Sequence, residues 1–298
     1  MGIKDLLEIS NYYELLDKYS FNFKKQSLFL SLVLNYIIMT KNINDEIFML
    51  LASYVNNLDD NYPNIMHTKL YLDGIDIILD KLYKEKNEEE ITRNIIKNYF
   101  EDGYVFHTFN IGIYENVLSK GLSLTPDIFP NDKIIAIKEI FKSKNKGVFG
   151  LYNPTDNKVF FASSPIYIYQ YGAGSPSFFR KLIFMNDKKD SYINRDYERC
   201  LISIKNTIKE YNLSNVEGEL VLSLFNELYS LFSRNDYIIA LKKKKKNIKI
   251  EDYSKNNLRN IIKQDMSVDY RFYENINSND LEFILVRNHS NTIKRSRT

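Results

Sequence analysis

The chain has 298 residues, 41 Lys and Arg against 38 Asp and Glu, 44% hydrophobic and 27% charged residues, and a net charge of +3. This length supports a large core in one or two domains, and the near-balanced charge gives no whole-protein basic field of the kind that marks a nucleic-acid binder. A single cysteine, Cys200, excludes an internal disulfide and any multi-cysteine metal site; in Tyr197-Glu198-Arg199-Cys200-Leu201-Ile202 it reads as a packed thiol on a helix.

From the N-terminus, Met1-Gly2-Ile3-Lys4-Asp5-Leu6-Leu7-Glu8 lacks the basic and apolar regions of a secretory signal, and Leu6 does not fit a myristoylation pattern. The cytoplasm is the expected location. The most apolar run, Ser27 to Met39, is too short and interrupted to span a bilayer and predicts a buried helix. Apolar residues at spacings of three and four recur through Leu6 to Leu16, Ile47 to Tyr54 and Leu70 to Leu82, so residues 1–98 read as helices only, with Asn44-Asp45 and residues 56–64 as caps and turns. Glu88-Glu89-Glu90 opens a further helix, where acidic side chains suit the positive end of the dipole.

The pattern changes at Asp102. The window from Asp102 to Phe179 holds seven of the ten Gly and five of the six Pro. Turn residues mark loops, and loops on a rigid scaffold carry sites. Tyr104 to Thr108 predicts a strand ending in His107, one of three His; Tyr114 to Ser119 predicts a short helix stopped by Gly121. Asn131 to Lys142 predicts another helix. Val159 to Ala162 predicts a second strand, followed by Ser163-Ser164-Pro165 and by Tyr167, Tyr169 and Tyr171. Beyond the window, 192–211 and 215–234 read as helices. Tyr237 to Leu241, Asp269 to Glu274 and Leu281 to Val286 read as strands. The coarse organisation is a helical region over 1–98, an α+β domain over 99–288 and a basic tail over 289–298.

Several side chains could carry chemistry. His107 can hold a ligand hydroxyl or bond a neighbouring carbonyl. Ser163 and Ser164 can bond a ligand or cap a helix that Ile166 begins, and the alternating tyrosines can stack on a planar ring or serve as core. Glu217-Gly218-Glu219 pairs two acids, but on a helix they diverge by about 200°. Asp269 and Glu274 sit on or beside a late strand. Lys242 to Lys246 reads as a solvated edge without aromatic interleaving, with phosphate contact as the alternative. There is no P-loop or dinucleotide glycine motif, no H-E-x-x-H, no nucleophile elbow and no zinc spacing.

The order of these pieces over residues 103–175 resembles the first half of the ADP-ribosyltransferase superfamily: a strand ending in His107-Thr108, a helix reading into Lys120-Gly121-Leu122, a strand leading to Ser163-Ser164-Pro165, and a tyrosine-bearing segment. The resemblance implies an α+β, split-sheet ADP-ribosyltransferase-like domain that takes NAD as substrate in a cleft between two small sheets. His107, with Thr108 beside it, would meet ribose hydroxyls, Ser163 would support the nicotinamide pocket, and Tyr167 or Tyr171 would stack on its ring. Cleaving the nicotinamide–ribose bond builds oxocarbenium character that a nearby carboxylate stabilises. In the family a Glu on a later strand supplies it; here Asp269, Glu274 and Glu219 are the candidates, with Asp269 ranked first. The acceptor is an unspecified protein or nucleic acid. The alternatives are a non-catalytic sensor of a nucleotide or nucleic-acid end using the same cleft, and a structural interaction protein. Packing of His107 in the core would count against both ligand readings.

Overall fold

A computed structural model describes residues 10–59, 67–85, 87–124, 127–144, 158–166, 197–233, 236–244, 254–266 and 269–286. The first helices are α1 (Ser10–Tyr19), α2 (Phe23–Thr40), α3 (Asp45–Asn56), α4 (His67–Glu85) and α5 (Glu88–Ile95), the last running into a π-helical turn, Ile96–Glu101. Local chemistry sets their ends. The Asn22 side chain accepts from the Lys25 backbone N–H, Asn44 accepts from Glu46 and Ile47, and Asn87 accepts from Glu89. Each satisfies donors that a helix start leaves unpaired. Helix α2 is buried all round from Leu28 to Met39, its polar Ser31 and Asn35 included, as a helix wrapped by neighbours must be. It packs against α3, α4 and the π-helical turn.

Gly103 ends that turn; a Cβ there would come within 2.2 Å of the Tyr99 carbonyl oxygen, so only glycine fits. The chain then enters β1 (Tyr104–Asn110), a 3₁₀ turn (Ile111–Ile113), α6 (Tyr114–Lys120), α7 (Asn131–Ser143) and β2 (Val159–Ala162). After α8 (Tyr197–Glu210) and α9 (Asn215–Phe232) come β3 (Tyr237–Lys243), α10 (Lys255–Asp265), β4 (Asp269–Phe272) and β5 (Glu282–Val286). The described strands form one antiparallel five-stranded sheet in the order β4-β2-β1-β3-β5. The protein is therefore α+β, and among the described residues the strands make a single sheet rather than the two expected from the resemblance.

Strand alternation gives the sheet two chemically distinct faces. On one, Tyr104, Phe106, Tyr237, Ile239, Leu241, Ile284 and Val286 join the cluster built by α2 to α5. The N-terminal helices thus share a core with the sheet, and the 98/99 boundary drawn from sequence falls inside the π-helical turn. On the other face, Val105, Phe109, Val159, Phe161, Ile238, Ala240 and Phe283 gather with Val117 of α6. A third cluster joins α7, α8 and α9 through Ile134, Ile137, Phe141, Cys200, Ile204, Leu224, Phe225 and Phe232. Cys200 is buried there. This cluster meets the sheet where Leu231 abuts Gly112, whose missing side chain lets the backbones approach.

Helix α10 is absent from the sequence reading. Its polar segment, KNNLRNIIKQD, buries only Leu258, Ile262 and Asp265. Tertiary contacts hold it on α4: Arg259 Nε lies 2.8 Å from both carboxylate oxygens of Asp76, and Lys255 pairs with Asp80. Among the described residues no helix is long and apolar enough to cross a membrane. The basic tail over 289–298 lies outside the described residues.

Candidate functional site

His107 lies in the middle strand of the sheet, opposite Ala240 of β3. The β1–β2 register pairs Phe106 with Ala162, so one antiparallel step puts His107 opposite Phe161, which itself pairs with Tyr270 of β4. The row Tyr270–Phe161–His107–Ala240–Phe283 therefore crosses all five strands. The imidazole is partly buried, with ring centroids of Phe161 and Phe109 at 5.4 and 6.3 Å. Its Nδ1 is 2.8 Å from the Phe160 carbonyl oxygen. A carbonyl can only accept, so Nδ1 carries the proton and Nε2 of the neutral ring presents a lone pair. Burial pushes the His107 pKa below its ordinary value, and the Phe160 hydrogen bond offsets only part of this. The ring is thus held neutral by a backbone carbonyl, the bland role allowed for it from sequence. Its Nε2 makes no hydrogen bond among the described residues.

Thr108, next along β1, falls in the following row, opposite Ile239, and so belongs to the other face of the sheet. His107 and Thr108 are not brought together. Tyr167 and Tyr171 lie outside the described residues.

Ser163 and Ser164 are both fully buried where β2 ends, against the helical layer. The Ser163 hydroxyl donates to the Asp265 backbone carbonyl, and Ser164 Oγ is 3.0 Å from the phenol of Tyr71 on α4. Asn35 Nδ2 donates to the Tyr71 oxygen and to the Ser31 carbonyl, while the single proton of Ser31 Oγ is shared between the carbonyls of Ser27 at 2.7 Å and Pro165 at 3.1 Å. A buried polar chain therefore ties α2 and α4 to the end of β2. Burial pushes the Tyr71 and Tyr99 phenols up, and the Asp265 charge nearby adds to the effect. The same charge contributes to the raised Tyr270 pKa, after burial. Asp265 was missed from sequence because α10 was missed. A buried acid at a helix C-terminus is electrostatically disfavoured, so its presence marks a polar neighbourhood.

The three candidate acids go to three places. Asp269 pairs with Ala162 in the row of Phe106, one residue away from the His107 row, and so falls on the face of Thr108 rather than that of His107. Glu274 is exposed just past β4. Glu219 is exposed on α9, about 18 Å along the helix axis from Leu231, where that helix meets the sheet. Glu217 is committed elsewhere: it forms a capping box with Ser214, whose backbone N–H lowers the carboxyl pKa. Among the described residues no group of three or more His, Cys, Asp or Glu could hold a metal ion.

The lysine run is placed differently from its sequence appearance. Lys244 Nζ sits 4.1 Å from the Tyr270 ring centroid and 5.0 Å from that of Phe272, and Lys242 Nζ sits 5.8 Å from Phe272. Burial lowers the Lys244 pKa. These ammonium groups add positive charge to the face that carries His107. No family model, no curated protein and no solved structure matches the chain.

Proposed function

We propose that the chain is an ADP-ribosyltransferase-like protein that binds NAD against the β4-β2-β1 side of its sheet, cleaves the nicotinamide–ribose bond and transfers ADP-ribose to an acceptor. One observation carries this reading. The strand bearing His107, the strand leading to Ser163 and the strand beginning with Asp269 are immediate neighbours, although they come from distant parts of the sequence. In this reading the Nε2 lone pair of His107 accepts a hydrogen bond from a ribose hydroxyl. Lys242 and Lys244 face the diphosphate. Fixed negative charge near the ribose carbon that gains positive charge as nicotinamide leaves lowers the barrier.

Asp269, the first choice from the sequence, lies one row from His107 and so on the other face of the sheet, and Glu219 is remote along α9, which leaves Glu274, exposed just past β4, as the candidate acid. A second reading, a nucleotide sensor without transferase chemistry, is favoured by a specific feature: the His107 row holds Tyr270, Phe161, Ala240 and Phe283 but no carboxylate. Nicotinamide release from NAD separates the two. The enzyme reading expects release that His107→Ala abolishes and that Glu274→Gln lowers by about 10²–10³-fold, as for loss of one electrostatic stabiliser. NAD binding without release supports the sensor, and release that survives His107→Ala removes the role given to His107.

A further inference from the structure

We propose that the β4 edge of the sheet is a binding surface for single-stranded nucleic acid. Strand β4 is the outermost in the order β4-β2-β1-β3-β5, so among the described residues its far side has no strand partner. Its sequence, Asp269-Tyr270-Arg271-Phe272, alternates aromatic and charged positions, and Tyr273 follows with 70% of its surface exposed. Both aromatic rings of β4 lie under cations. Tyr270 and Phe272 lie under Lys244, and Phe272 also under Lys242. On the opposite face Phe160, paired with Arg271, lies under Arg271 at 5.6 Å and Lys158 at 5.2 Å.

Lys158, Lys244 and Arg271 have no carboxylate partner among the described residues, whereas Lys242 is only 3.8 Å from Asp280. The nearby counter-charges are Asp280, the exposed Glu274, Asp269 on β4 itself and Asp265, whose charge reaches Tyr270. A polyanion with planar rings matches this surface on both counts. A phosphate can draw each ammonium or guanidinium off its ring, and the freed ring face can then stack on a base. Base stacking is stronger than an exposed cation–π contact, so the exchange is favourable and tolerant of sequence. A duplex offers phosphates but keeps its bases stacked internally, so it would use the cations and leave the rings idle.

The proposal stands independently of the NAD reading, and its test contains no NAD. Fluorescence anisotropy is recorded for fluorescein-labelled oligothymidylate and for a labelled duplex over a range of salt concentrations. The wild-type chain should bind the single strand more tightly than the duplex. The triple variant Lys158→Gln/Lys244→Gln/Arg271→Gln should bind at least tenfold more weakly at low salt. Its slope of log affinity against log salt should be shallower by about 2, from three phosphate contacts at ~0.7 each. Tyr273→Ala, at an exposed position where folding is not at stake, should weaken single-strand binding severalfold without changing duplex binding. Failure of the wild-type chain to bind oligothymidylate at low salt, equal affinity for the duplex, or an unchanged salt slope in the triple variant would each overturn the proposal.

Discussion

The Tyr71 phenol and the Ser164 hydroxyl lie 3.0 Å apart in the protein interior, although 93 residues separate them in the chain. This bond, extended through Asn35 to Ser31, joins the helical layer to the strand end that carries Ser163. It makes the N-terminal helices a physical support of the candidate site, since any shift of α4 against the sheet must break buried polar contacts. Tyr71→Phe should cost about 1–3 kcal/mol, because it leaves Ser164 and Asn35 short of a buried partner. The double variant Tyr71→Phe/Ser164→Ala should cost less than the sum of the two single changes. Urea unfolding of the four proteins checks this, and strict additivity would show that the pair does not interact.

The His107 environment predicts a pH dependence of stability. Burial holds its native pKa below the unfolded value of about 6.5. As pH falls, the unfolded chain therefore takes up the proton first. The contribution is fully present above about pH 6.5 and is lost as pH falls from there through the depressed native value. His107→Gln, which retains a side-chain donor for the Phe160 carbonyl, should flatten the stability curve in that window relative to wild type. Denaturant midpoints measured between neutral and mildly acidic pH provide the comparison, and parallel curves for the two proteins would refute the assigned environment.

Gly121 sits at φ +77°, and a Cβ there would lie 1.9 Å from the Ile276 carbonyl oxygen. Its neighbour Leu122 exchanges two backbone hydrogen bonds with Ile276, at 2.9 and 3.0 Å, so the residue cannot retreat without losing that bridge. Gly121→Ala should destabilise by more than about 2 kcal/mol, combining a left-handed backbone with a direct clash. A thermal melt like that of wild type would contradict the close approach.

How much of this was legible in the sequence follows from the range of each signal. The His107 strand, the helix stopped by Gly121, the helix from Asn131 and the Val159 strand rest on local periodicity and turn chemistry, and the chain forms them close to where that pattern puts them. Helix α10 was not legible because its apolar face is reduced to Leu258, Ile261 and Ile262, and its position is held by Asp76 and Asp80 of α4, far away in sequence. The Tyr71–Ser164 bond and the placement of Lys244 over Tyr270 are long-range facts with no local pattern. A run of five lysines read along the chain looks solvated, and nothing local shows that Lys242 and Lys244 lie over Tyr270 and Phe272. The strand order that sets Asp269 beside Ala162 is likewise a property of the sheet rather than of any one segment.

The central claim, that NAD binds beside His107, is tested most directly by the melting temperature of the full chain with and without millimolar NAD. Saturation at about 100 times the dissociation constant adds roughly 2.7 kcal/mol of stability, so the account predicts a rise of a few degrees for wild type and a much smaller one for His107→Ala. An unchanged melting temperature for the wild-type chain at millimolar NAD would contradict it.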